Sequence, residues 1–410
     1  MSSPTRAVRA SRTSAAPLAP PVPPDAVAGP TIYVGLDVHK DSVTAAVLPA
    51  GAPAPSRVDK LPNDPAKLRR YIDRLATQGT LRLCYEASGA GYVLYRLLTD
   101  WGYQCDVIAP SLIPQRPGHQ RKHDRHDATQ LAHYLRSGDL TAIRIPTEAE
   151  ERVRDIVRCR ETLQKELLKS RHYLLKFLAR RGFVYREGTR WARPHLRWLT
   201  ALARDDSPLT PEDRFVFREY LALFEYKLQR RDALDAEIER LALRPALQAA
   251  VGRLRCFRGV STHVAMVLAT ELVDWRRFGT PRQLAAYLGF VPREDSSGDR
   301  ERRGAITKAG NAHCRHALIQ AAWSYRYAPK VAAHLKLRQD GQPPGVIAHA
   351  WKAQQRLHKR FTHLTYRKPP QVAIVAVARE LIGFLWATMQ ELQDPSPSTP
   401  PSAPPVPAAA

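Results

Sequence analysis

The sequence runs to 410 residues, with 63 Lys and Arg against 39 Asp and Glu, a net charge of +24 and 44% hydrophobic residues. That length and apolar content exclude a small stapled module and leave room for two or three domains with real cores. The charge says little about fold and selects polyanions as partners, nucleic acid above all. An anionic membrane is the competing partner, but no apolar run is expected to reach membrane-spanning length, and no apolar core follows Arg6, Arg9 and Arg12 as in a signal peptide. A cytoplasmic protein without a membrane partner is the expectation. The five cysteines (Cys84, Cys105, Cys159, Cys256, Cys314) are isolated and form no C-x-x-C pair, so reduced thiols are expected rather than disulfides or a zinc module.

Both ends are proline-rich. Residues 1–30 and 394–410 are read as disordered tails, because they lack the apolar content to order themselves. From Thr31 the texture changes. TIYVGLDV and SVTAAVL predict adjacent strands, and SRVDKL a third. DPAKLRRYIDRLA has helical spacing, with Leu68, Tyr71, Ile72 and Leu75 on one face. The strand TLRLCYEA, the helix GYVLYRLLTDWG and the strand YQCDVIAP follow. The helix DRHDATQLAHYLRSG ends at Gly138. Strands alternating with helices predict an α/β domain over residues 31–145.

Residues 147–181 read as one long helix, with Ile156, Leu163 and Phe177 in one row, Leu167 and Leu174 in a second, and Ser170 as an interruption. Pro211 opens another, striped by Phe217, Leu221, Phe224, Leu228, Leu234, Ile238 and Leu241. Two such helices in series predict an antiparallel coiled-coil arm over residues 146–245; an ordinary helical hairpin is the other reading. Residues 246–393 predict a mainly helical domain. Within it, FRGVSTHVAMVLATEL has the form of a helix-hairpin-helix turn. Gly259, Ser261 and Thr262 would there offer backbone N–H groups to a phosphate, although a plain helix–helix turn has the same look. SSGDRERRGAITKAGN reads as a polar loop between short helices. In it Arg300, Arg302, Arg303 and Lys308 crowd beside Ser296 and Ser297.

Four carboxylates stand out. Asp37 ends the first strand, Glu86 ends the strand LRLCYE, and Asp124 and Asp127 lie three apart in KHDRHDA, on one face of a helix. Strand ends are where α/β sheets place their sites. Phosphoryl transfer needs carboxylates gathered from distant positions to hold a hard divalent cation. Singly, each of these residues also reads as a cap or surface charge.

The ordered motifs YVGLDVHKDSVTAAVL, YEASGAGYVLYRLL and KHDRHDATQLAHYL resemble those of the DEDD transposases of the insertion-sequence one-ten (IS110) family. The likeness covers about residues 31–330, and His123 departs from it, standing where the family carries a small hydroxyl residue. It implies a ribonuclease-H-like (RuvC-like) N-terminal fold in which Asp37, Glu86, Asp124 and Asp127 bind Mg2+. The block LAAYLGFVPREDSSGDRERRGAITKAGN resembles the family's C-terminal transposase domain. It implies that Ser297, or its neighbour Ser296, attacks a DNA phosphate to form a covalent phosphoserine link. Lys308, Asn311 and Arg315 would then face the phosphate. The resemblance further implies donor and target DNA, a structured noncoding guide RNA (the bridge RNA) and a homo-oligomer, dimer or tetramer, as partners. Three rivals stand beside it: a hydrolytic Holliday-junction-type nuclease using the same tetrad, an inactive nucleic-acid-binding relative, and an actin-like ATPase, whose phosphate hairpin can also read G-x-D.

Overall fold

The computed structural model describes residues 29–89, 91–114, 124–294 and 303–393. Both proline-rich tails fall outside the described residues, apart from residues 29 and 30. The chain divides into two compact units, Met1–Ile145 and Pro146–Ala410.

In the first unit, β1 (Ile32–Val38), β2 (Ser42–Pro49) and β3 (Arg57–Pro62) form an antiparallel meander. Helix α1 (Pro65–Ala76) leads to β4 (Leu81–Glu86), and α2 (Val93–Asp100) leads to β5 (Gln104–Ile108). Strand β4 pairs parallel to β1 and β5 parallel to β4, so the sheet order is β3-β2-β1-β4-β5. Helix α3 (Asp124–Ser137) closes the unit. This mixed sheet is the ribonuclease-H-like arrangement. The sequence produces it by alternation: Val34, Leu36, Val43, Ala45, Leu83 and Tyr85 share one face and pack on Leu68, Ile72 and Leu98 of α1 and α2. The other face presents Ala46, Leu48, Cys84 and Ile108 to Ala128, Leu131, Ala132 and Leu135 of α3. Helix α1 starts where Asp64 accepts from the Lys67 N–H and Pro65 takes the first position.

The second unit opens with α4 (Glu148–Ala179), capped by a reciprocal Thr147–Glu150 box. Then come α5 (Arg193–Leu202), α6 (Pro211–Ala242), α7 (Pro245–Arg255), α8 (Thr262–Leu272) and α9 (Pro281–Tyr287). A small hairpin of β6 (Pro292–Glu294) and β7 (Arg303–Ile306) precedes α10 (Ala312–Ala322), α11 (Ala333–Gln339), α12 (Pro344–Thr365) and α13 (Pro370–Gln393). The pairs Arg160–Asp235, Lys227–Glu166 and Arg181–Asp213 show that α4 and α6 run antiparallel. One end of the pair packs with α5 around Leu167, Leu174, Phe177, Leu199, Phe217 and Phe224. At the other end Val153, Val157, Ile238 and Leu241 belong to the same core as α7, α8, α10 and α13. Residues on both sides of position 245 therefore share one core.

Three details depart from the sequence reading. Ser170 does not interrupt the buried stripe of α4 but lies in it, its hydroxyl donating to the Glu166 carbonyl. The polar loop after Pro292 contains strand pairing, β6 with β7. The expectation that no apolar run reaches membrane-spanning length fails at Pro370–Glu391, within α13. That apolarity has a packing cause, since Ile374, Val377, Leu381, Ile382 and Leu385 fill the helical core. All five cysteines are unpaired.

Candidate active site

The site in the first unit begins with a glycine. A Cβ on Gly35 would lie 2.1 Å from the Ala128 carbonyl oxygen and 2.5 Å from the Ala132 nitrogen. The backbone of α3 therefore lies directly on β1, an approach only glycine permits. Asp37, two residues further along β1, faces the same side. Cys84 of β4 also faces α3, with its thiol directed at the Leu131 carbonyl. Glu86, two residues on, shares that side. The parallel register pairs Leu36 with Tyr85, so Asp37 and Glu86 follow at matching ends of neighbouring strands. The first turn of α3 supplies Asp124 and Asp127.

Asp37, His39 and Asp124 offer ligand atoms that all lie within 4.8 Å of one another. His39 Nε2 is 3.0 Å from Asp37 Oδ2 and 3.6 Å from Asp124 Oδ1. Lys60 Nζ donates to Asp124 Oδ2 at 3.3 Å. Asn63 fixes the turn that carries the histidine, its amide donating to the carbonyls of His39 and Lys40. Burial pushes the Asp37 carboxyl above its ordinary value; His39 opposes this, while the charges of Asp124 and Asp127 push the same way. The hydrogen bond from Lys60 holds Asp124 below its ordinary value.

The donor set fits a divalent cation. Burial chiefly raises Asp37, the charges of Asp124 and Asp127 add to it, and a bound cation would offset both. Carboxylate oxygens suit Mg2+, and the imidazole of His39 would also accept a softer ion such as Mn2+. His39 and Lys60 were not singled out from the sequence. His39 stands two residues from Asp37 in GLDVHK, so its signal was at hand. Lys60 is on a separate strand, and only the β2–β3 register brings it near.

The second unit places the remaining candidates unevenly. Ser296, Ser297, Arg300 and Arg302 lie outside the described residues, and Arg303 opens β7. Gly259 adopts a positive φ of 84°, and a Cβ there would sit 2.2 Å from the Ala321 carbonyl oxygen. Ser261 caps α8 by accepting from the Val264 N–H, and Thr262 is buried. Lys308 is exposed, in a left-handed turn whose N–H donates to the Gly289 carbonyl. Asn311 is engaged internally at both ends of its amide, capping α10 at Cys314 and donating to Glu271 Oε2 at 2.7 Å. Arg315 donates to the carbonyls of Leu288 and Ala309. Both therefore brace the strand-to-helix turn.

Glu271 anchors that brace and escaped the sequence reading, hidden inside the apolar run MVLATEL. Its carboxylate takes two bonds from Arg158, at 2.7 and 2.9 Å, besides the one from Asn311. Burial alone would raise its pKa, but Arg158, Asn311 and Arg154 hold it below the ordinary glutamate value.

Residues 34–181 match a DEDD-type IS110 family model described as Transposase, and residues 252–335 match the Transposase IS116/IS110/IS902 family. A Sinorhizobium fredii protein named as a transposase, y4qE, is 37% identical over 362 residues, which cover 88% of each chain. The transposase for insertion sequence element IS1533 of Leptospira borgpetersenii is 30% identical, across 81% of this chain and 96% of its own length. The transposase for IS1111A of Coxiella burnetii is 26% identical, across 62% of this chain and 69% of its own.

Proposed function

This chain belongs to the IS110 family of transposases, and from that premise we propose that it cuts and rejoins DNA through a phosphoserine intermediate assisted by a divalent metal. The observation that carries the proposal is the convergence of Asp37, His39 and Asp124, with Asp127 beside them, at the end of an apolar strand. His39 and Lys60 answer part of the negative charge gathered there, and a bound divalent cation would answer the rest.

In this reading Asp37, Asp124, Asp127 and Glu86 hold Mg2+, which when bound supplies positive charge at the transferring phosphate. His39 and Lys60 orient Asp37 and Asp124 through the contacts already described. Ser297, with Ser296 as the alternative, is the nucleophile: its oxygen forms a bond to phosphorus while the bond from phosphorus to one deoxyribose oxygen breaks. The serine proton leaves with a nearby base, and the departing hydroxyl gains one. Rejoining reverses the step with a new DNA hydroxyl, so no external energy source is needed. Lys308 contacts the phosphate, and Asn311 and Arg315 hold its turn in place. The α4–α6 pair serves as the arm, a homo-oligomer as the working assembly, and a noncoding bridge RNA as the guide to donor and target.

Trapping on labelled DNA carrying the element's junction, with Mg2+ and RNA transcribed from its flank, tests this. Wild type is expected to give a denaturation-resistant protein–DNA adduct. The adduct should vanish in Ser297→Ala and in Asp37→Asn, and persist in Ser296→Ala. Cleavage with no adduct, insensitive to both serine changes, would establish a hydrolytic nuclease instead. Neither cleavage nor adduct, with DNA still bound, would establish an inactive relative.

A further inference from the structure

Helix α12 lies beyond the residues that either family match covers, which end at 335. Its buried side, Val346, Ala350, Ala353, Gln354 and Leu357, is fixed in the core. Its outer side carries Lys352, Arg356, Lys359, Arg360, His363 and, just past its end, Arg367, all exposed. Lys352, Arg356, Arg360, His363 and Arg367 recur every three or four residues and form one row, with Lys359 beside it. From Lys352 to Arg367 the row is about 22 Å long at the helical rise of about 1.5 Å per residue. No acidic residue occurs between 344 and 368. One acid faces the row from α13: Glu380, bonded to Arg356 and 3.9 Å from Arg360. A groove of about 440 Å³ runs among Arg356, Lys359, Arg360, His363 and Glu380.

We propose that this face of α12 binds the phosphate backbone of duplex DNA, a contact separate from the carboxylate site. The proposal rests on the reading of this chain as an enzyme that acts on DNA. Three features select the occupant. The row is straight and fixed to a core, so it matches a regular line of charge; one strand of duplex presents a phosphate about every 3.4 Å of axis. Single-stranded RNA is gripped by aromatic side chains interleaved with the cations. Here the exposed aromatics, Trp351 and Tyr366, stand at the two ends of the row. A membrane-surface helix needs an outward apolar face, whereas the apolar face of α12 is already buried.

The test uses the full-length chain in a metal-chelating buffer, so that binding is read without cleavage. The probes are a duplex of arbitrary sequence and a single-stranded RNA of equal length, each titrated over a range of salt. The variant is Lys352→Gln, Lys359→Gln, Arg367→Gln, which leaves the two arginines beside Glu380 in place. The control is Lys67→Gln, Arg70→Gln, Arg74→Gln on the exposed face of α1, with the same loss of three positive charges. The α12 variant is expected to lower duplex affinity at least tenfold and to flatten the plot of log affinity against log salt by about 2–3, at roughly 0.9 per lost phosphate contact. The control should leave the slope in place. An unchanged slope in the α12 variant, an equal change in the control, or a loss confined to RNA overturns the proposal alone. A wild type that binds no duplex overturns it together with the reading beneath it.

Discussion

Gly35 decides where the carboxylates meet. Because it has no side chain, α3 rests on the β1 backbone, and the first turn of α3 reaches Asp37. Gly35→Ala would press a methyl group into the backbone of α3 at 2.1 Å, a contact that no side-chain rotation can relieve. The expected cost is about 2–4 kcal/mol of stability, read as a lowered denaturation midpoint. DNA cleavage should fall as well, even at temperatures where the variant stays folded, because α3 carries Asp124 and Asp127. A variant that melts like wild type would show that α3 lies less tightly on β1 than described. His39 belongs to the same scale. Its ring touches both Asp37 and Asp124, and its place beside Asp37 was visible in the sequence. Its contact with Asp124 was not, because that depends on how α3 crosses the sheet.

Among the elements, α4, α8 and α10 are joined by one buried acid. Glu271 of α8 receives Arg158 of α4 and Asn311 at the start of α10. Glu271→Ala would remove the carboxylate that pairs with Arg158 and with the largely buried Arg154. The expected loss is about 3–5 kcal/mol, measured in denaturant. An unchanged midpoint would mean that water replaces the carboxylate at no cost. The long helices were the most legible part of the sequence: the stripe from Phe217 to Leu241 is buried or half-buried throughout, since helical spacing and burial are the same fact in an amphipathic helix. The β6–β7 pairing was hidden because its strands are short and its composition is polar and glycine-bearing, which reads as loop. Helix α5 was missed for a related reason. RPHLRWLTAL is one short amphipathic stretch between turns, and its burial depends on α4 and α6.

At the scale of the whole molecule, each compact unit has its own core, one built on the sheet and the other on helices. Calorimetry of the full chain is expected to resolve two unfolding transitions, because cooperativity follows shared cores. Gly35→Ala should lower one of them and Glu271→Ala the other. A single transition shifted by both changes would show that the units fold as one.

The carboxylates proposed to hold the metal also bear on safety during synthesis. Asp37 lies on the first strand of the sheet and is made before its partners Asp124 and Asp127, which follow on a helix that packs across the completed sheet. No piece of the unit that stops before Asp127 holds the full set of acids. On the proposed mechanism, a chain that stops before α3, or a half-folded one with β4 unpaired, keeps basic residues that attract DNA but lacks the assembled site that would cut it. The topology makes completion of the fold a condition of being dangerous to a chromosome.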